Sequence, residues 1–222
     1  LSKIWNWLKV SSSFLLSAWT GRKIHWGQPV SLSIEPTTAC NLKCPEGPSG
    51  LRAFSRATGN LKSDFFRKVI GETANALINL NFYFQGEPYI NPQFLDMVAH
   101  AKQHKIYTTT STNGHFLTKA NCIKTIEAGL DRLIISIDGA TQETYEKYRI
   151  AGQLATVLEG TKTLIDTKRE MKAHHPYIIF QCLVVRPNEH ELEEIEAIAK
   201  SLGVDEVKFK TAQLYDYKNG HE

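Results

Sequence analysis

Long uninterrupted apolar runs are missing from this chain of 222 residues, and so is a strong excess of either charge. The formal net charge is +3 and no Lys/Arg run forms a patch, so a nucleic acid is not expected as a partner. Cysteine is scarce, with four in all, and nothing ahead of them has the clean apolar core and small-residue cleavage site of a secretory signal. That favours a reducing, cytoplasmic setting, where closely spaced thiols read as metal ligands rather than as a disulfide. Low-complexity tracts and sequence repeats are absent too. What is present, 42% hydrophobic and 22% charged residues, suits one folded domain with a substantial core.

Residues 4–19 are rich in Trp and Leu but are interrupted by Asn6, Lys9 and four serines, which is too broken a pattern to span a membrane. The segment reads as an amphipathic helix packed on the domain, within an N-terminal helical region over residues 1–28. A helix lying on a membrane surface is the alternative, and a membrane is not expected as a partner. The chain starts at Leu1 without Met and stops at Glu222 just after a strand-like run, as a piece of a longer protein would.

Beyond residue 29, β-rich runs alternate with helical spacing. Strands are expected at 30–35, 79–84, 107–111, 132–137, 177–185 and 206–210, and helices at 63–78, 92–105, 118–128, 153–172 and 189–202. Buried parallel strands are usually apolar on both faces. Here Ser31, Ser33 and Glu35 alternate with Leu32 and Ile34, Asn79 and Asn81 with Leu80 and Phe82, Ser136 and Asp138 with Ile135 and Ile137, and Lys208 and Lys210 with Val207 and Phe209. Four strands with one polar face predict a shared polar lumen, hence an α/β fold built as an open, partial (β/α)6 TIM-like barrel with an N-terminal helix.

Ligands in such folds sit at the carboxyl ends of the strands. Four short motifs fall there: Cys40 and Cys44 in "EPTTACNLKCPEGPSG", then Gln85-Gly86-Glu87-Pro88, Ser111-Thr112-Asn113-Gly114 and Ser136-Ile137-Asp138-Gly139, the last followed by Tyr145 and Arg149. Gly86 permits close backbone approach, and Glu87 can accept from an ammonium. Cys40 and Cys44 alone could be any metal or redox pair. Arg149, taken alone, reads as a surface ion pair with Glu143 or Glu146. His115 lies in a loop on the same end and reads as a solvated or hydrogen-bonded histidine.

Together with "FQGEP", "TSTNG", "SIDGATQETYEKYR" and "VVRPNEHE", the cysteine loop resembles that of the radical S-adenosylmethionine (radical SAM) superfamily, whose signature is C-x-x-x-C-x-x-C. The resemblance runs from about residue 31 to the end and is of the kind usually followed by a SPASM auxiliary-cluster domain, which would lie after this chain. It implies a core domain over 29–222, a [4Fe-4S] cluster held in part by Cys40 and Cys44, and S-adenosylmethionine on the open iron. It further implies reductive cleavage to a 5'-deoxyadenosyl radical, hydrogen abstraction from a substrate of peptide or protein kind, and an electron donor such as flavodoxin or ferredoxin. By the same resemblance Gly86 and Glu87 hold the SAM amino group, Ser111 and Asn113 lie near the methionyl or ribose moiety, Ser136 and Asp138 near the ribose, and Arg149 pairs with the carboxylate. Gln181, Lys210 and Gln213 lie toward adenine or substrate.

The third cysteine of the signature is Gly47. Two thiolates hold a cubane poorly, and the carboxylate of Glu46 is a hard substitute for sulfur. Three readings stand side by side: a radical SAM enzyme changed at one position, a noncatalytic SAM-binding pseudoenzyme, and a β/α-barrel enzyme with a two-thiolate zinc site. Cys122, in a helix, and Cys182, of opposite parity to Gln181, are expected as inert buried thiols.

Overall fold

A computed structural model describes residues 2–211. Six strands, β1 (Ser31–Ser33), β2 (Asn79–Asn81), β3 (Tyr107–Thr112), β4 (Arg132–Ser136), β5 (Tyr177–Val184) and β6 (Glu206–Thr211), form one sheet in chain order, every neighbouring pair parallel. β1 and β6 are its two edges, so the barrel is open. The helices are α1 (Ser2–Thr20), α2 (Pro48–Leu51), α3 (Ser63–Thr73), α4 (Phe94–Gln103), α5 (Lys119–Glu127), α6 (Gln142–Tyr148), α7 (Leu154–Glu170) and α8 (Leu192–Leu202).

Strand parity positions the core. Leu80, Phe82, Leu133, Ile135, Ile178 and Phe180 point to the helix layer and pack with Phe66, Ile70, Met97, Val157, Leu164 and Ile195. Phe82 stands 5.5 Å from Phe66 and 5.6 Å from Phe94, centroid to centroid, and such tilted aromatic pairs add to burial. On the opposite face Asn79 donates to Ser31 (3.2 Å) and Asn81 (3.1 Å), a polar ladder along β1 and β2. That face is not polar throughout. Ser111, Ile134, Ile179 and Glu206 share one row of the register, so the middle of the inner face is partly apolar.

β1 and β2 are shorter than the alternation suggests, and past Ile34, whose amide still bonds Asn81, the chain after β1 turns to other partners. Glu35 pairs with Arg56 at 2.6 Å, Thr37 bridges Asn60, and Asn91 donates to the Pro36 and Leu61 carbonyls. α6 was not among the helices read from apolar spacing. It is short and starts on a cap, Thr141, whose hydroxyl accepts from the Thr144 amide.

The N-terminal helix forms, but the expectation that it packs its apolar side on the domain is corrected. Ser13 is its one buried residue, and its ties are polar: Lys3 donates to the His104 and Lys105 carbonyls, Asn6 exchanges bonds with Gln28, and Ser17 donates to Arg22. No helix among the described residues is long and apolar enough to cross a membrane.

Candidate active site

The loop after β1 carries the two thiols, and the loops after β2 and β3 and the turn after α6 are bonded to it. Asn113, after β3, donates to the Asn41 side chain at 2.7 Å and lies 4.0 Å from Cys40 Sγ. Arg149, after α6, brings Nη1 to 3.7 Å from Cys44 Sγ, and the Lys43 amide donates to the Ile150 carbonyl at 3.1 Å. Ser49, in α2, accepts from the Gly86 amide at 2.9 Å and donates to Gln85 at 3.0 Å. Gly86 has φ +78°, and a Cβ there would run into the Thr37 carbonyl; only glycine lets this loop close on the thiol loop.

Glu87 is 1% exposed. Its carboxylate accepts from the Asn113 amide (2.7 Å), the Thr112 hydroxyl (2.8 Å) and the Tyr89 amide (3.3 Å), so it ties the loops after β2 and β3 together. Burial pushes its pKa up to about 7, against those hydrogen bonds and the nearby Arg149. The folded state therefore holds more protons than the unfolded one between about pH 4.5 and about 7. The stabilising contribution is full below the unfolded value and is lost as pH rises through about 7. We expect the stability of the protein to fall across that window by on the order of 3 kcal/mol more than that of Glu87→Gln. Urea unfolding of both proteins at several pH values checks this; parallel profiles would refute it.

Asp138 is fully buried, with one carboxylate oxygen on the Leu183 amide (2.7 Å) and the other on Arg149 Nε. Burial disfavours the Arg149 charge, but Asp138, Cys44 and Tyr145 together outweigh it and raise its pKa. The surface-pair reading of Arg149 is thereby corrected: Glu143 bonds Lys147 and Glu146 bonds Gln142 instead. Ser136, Gln181 and Lys208 share one row of the inner face, with Ser111 in the row of Ile134 and an exposed Lys210 opposite Leu183. Gln213 lies outside the described residues.

His115 is taken up by backbone: Nε2 accepts from the Gln153 amide at 2.8 Å and Nδ1 faces the Asn113 carbonyl at 3.1 Å. Burial lowers its pKa, which keeps it neutral. Burial pushes the Cys122 thiol up to about 11 and the Cys182 thiol up to about 12, so both are inert. Sequence reasoning passed over Asn41, Ser49, Asn188 and Glu191. Asn188 donates to the Asp138 carbonyl at 3.1 Å and Glu191 accepts from the Ala140 amide at 2.7 Å, which props the Asp138 loop from behind. The signal for Asn188 is weak, one polar residue in a turn after Pro187, and Glu191 follows it among other charged residues.

Cys40 and Cys44 are half-buried, and burial pushes the Cys40 thiol up. Among the described residues no group of three His, Cys, Asp or Glu side chains is close enough together to hold a metal ion. The donor set is thus one ligand short of the three thiolates that a site-differentiated cubane needs. The space for the third is open: a Cβ at Gly47 meets no atom within 4 Å, and its backbone, φ −100° and ψ 127°, is one any L-residue adopts.

An open parallel sheet with a thiol loop and four interlocked loops at the carboxyl ends of its strands defines a β/α-barrel enzyme core. Residues 34–202 match the model of the Radical SAM superfamily, and the chain belongs to that superfamily, whose members bind a [4Fe-4S] cluster and S-adenosylmethionine. It is 30% identical over 176 residues to an AdoMet-dependent heme synthase of Methanosarcina barkeri, covering 79% of this chain and 48% of that one. It is 24% identical over 192 residues to a PqqA peptide cyclase of Rhodopseudomonas palustris, covering 86% and 49%. The fold matches Streptococcus suis SuiB bound to S-adenosylmethionine with a TM-score of 0.70 at 14% identity, over 85% of this chain and 42% of that one. The chain spans about half the length of the curated relatives it matches.

Proposed function

We propose that the chain is the SAM-binding core of a radical SAM enzyme that modifies a peptide or protein, and that full cluster loading needs a thiolate at position 47. The carrying observation is that two thiols, the Asp138–Arg149 pair and Asn113 surround one loop whose third ligand position is open space. A bound cluster would supply the electron that breaks the sulfonium C–S bond of SAM, leaving methionine and a 5'-deoxyadenosyl radical that takes a substrate hydrogen. This chain's own part is to bind and orient. Gly86 is suited to bring backbone to the amino group of SAM, with Glu87 holding that loop in place from within, Arg149 to its carboxylate, and Ser111, Asn113 and Ser136 to its hydroxyls, on an inner face whose polar row extends to Gln181. The peptide cyclase relative supports a peptide substrate, and the reduction calls for a low-potential donor of the flavodoxin or ferredoxin kind.

Gly47 itself favours a second reading, a SAM-binding chain with little cluster. Anaerobic reconstitution with iron and sulfide, followed by reduction in the presence of SAM, separates the two. The first reading expects 5'-deoxyadenosine, scarce with the chain as it stands and abundant after Gly47→Cys. SAM binding without 5'-deoxyadenosine from either protein would select the second reading, and failure of both to bind SAM would overturn the proposal.

A further inference from the structure

α1 is amphipathic the wrong way round for a helix that completes a core. The stripe turned toward the protein, Lys3, Asn6, Val10, Ser13 and Ser17 at helical i, i+3, i+7 spacing, holds one apolar residue, with a half-buried Leu16 at its flank, and its polar contacts are the hydrogen bonds described above. The outward side carries Trp5, Leu8, Phe14, Leu15 and Trp19, with Phe14 69% and Trp19 85% exposed. Scattered exposed apolar residues are ordinary, but a 19-residue helix that exposes Trp5, Leu8, Leu15 and Trp19 along one stripe and Trp7 and Phe14 on its flank is not. All four tryptophans of the chain, Trp5, Trp7, Trp19 and Trp26, belong to this helix or the loop after it.

Charge narrows what covers this face. No Asp or Glu precedes Glu35, whereas Lys3, Lys9, Arg22 and Lys23 do, and the last three are exposed. A second copy would bring like charges together across the interface. We propose that α1 and the loop through Trp26 form an in-plane anchor that binds the surface of an anionic lipid bilayer. Tryptophan suits the boundary of water and hydrocarbon, and lysine and arginine flanking an apolar helical face are attracted to anionic headgroups. The region lies ahead of the residues matched to the superfamily, so the anchor is separate from the SAM site. Its position leaves that site accessible. Lys3 bonds the residues just before β3 and Asn6 the residue Gln28 ahead of β1, so α1 sits at the amino ends of the strands, while the thiol loop is at their carboxyl ends. Docked this way, the loop cluster faces water.

The full chain, mixed with vesicles of phosphatidylcholine containing phosphatidylglycerol, tests this by co-sedimentation and tryptophan emission, since every tryptophan reports on the anchor. Binding to these vesicles is expected, with a blue shift in emission, weaker partitioning at high salt and little binding to phosphatidylcholine alone. The charge reversal Lys9→Glu/Arg22→Glu/Lys23→Glu and the apolar-face variant Phe14→Ser/Leu15→Ser/Trp19→Ser should each lower partitioning at least about tenfold. All six positions are exposed, so the fold should survive, which circular dichroism verifies. A protein left in the supernatant with both vesicle types would overturn the proposal. So would an emission maximum that shifts with protein concentration in the absence of lipid, marking a second copy, or one already blue in the dilute lipid-free chain, marking cover by the protein itself.

Discussion

Replacing Gly47 by cysteine is expected to raise iron and sulfide from well below stoichiometric to about four of each per chain after anaerobic reconstitution, with the broad near-visible absorption of a cysteinyl cluster. The substitution should cost the fold little. Position 47 is extended, in a conformation open to every L-residue, it meets no neighbour at the Cβ, and it precedes Pro48 at the start of α2, where glycine makes no capping bond through a side chain. The rest of the loop is already bound by the Asn113, Arg149, Ser49 and Ile150 contacts, so little ordering remains to oppose ligation. Gly47→Ser is the control: it fills the same space with a hard oxygen and should load no better than the parent. Equal iron in all three proteins would mean that residue 47 is not the lesion. Zinc without sulfide in the parent would instead favour the two-thiolate site.

The face that β1, β2 and β6 present could be read from alternation, since in a strand parity decides which side chains meet the helix layer, whereas β3 is polar on both faces and Ile134 and Ile179 make the inner face of β4 and β5 partly apolar. Cys182 illustrates parity: one residue from Gln181, it is fully buried in the core cluster. The loop ends were legible as positions but not as partners. Nothing in the local pattern says that Arg149 prefers Asp138, eleven residues back and fully buried, to the Glu146 three residues away, because that choice is made by a tertiary approach of two loops. The same holds for Glu87, whose three donors come from its own turn and from β3 and its loop. α1 shows the opposite failure. Its periodicity was plain, yet periodicity cannot tell which side of a helix faces the protein, and the polar side does.

The Asp138–Arg149 pair should produce the largest loss of stability in the site. Both side chains are out of water, Asp138 entirely and Arg149 at 14% exposure, and each relies on the other for charge compensation. Asp138→Ala leaves a buried guanidinium without its carboxylate, with Cys44 Sγ 3.7 Å from Nη1, and strips the Leu183 amide of its bond, so a loss of about 3–5 kcal/mol is expected. Asp138→Asn keeps an acceptor for Leu183 and should lose less. Arg149→Met should also be costly, because it strands a fully buried carboxylate whose other side-chain oxygen bond is to the uncharged Leu183 amide. The double variant Asp138→Asn/Arg149→Met removes both charges at once, and it should be more stable than the sum of the singles predicts, by at least about 1 kcal/mol. Urea midpoints at constant m decide it. Strict additivity would mean that the two charges are stabilised separately, by water or by other groups. The thiol loop would then owe its position to Asn113 and Ser49 rather than to this pair.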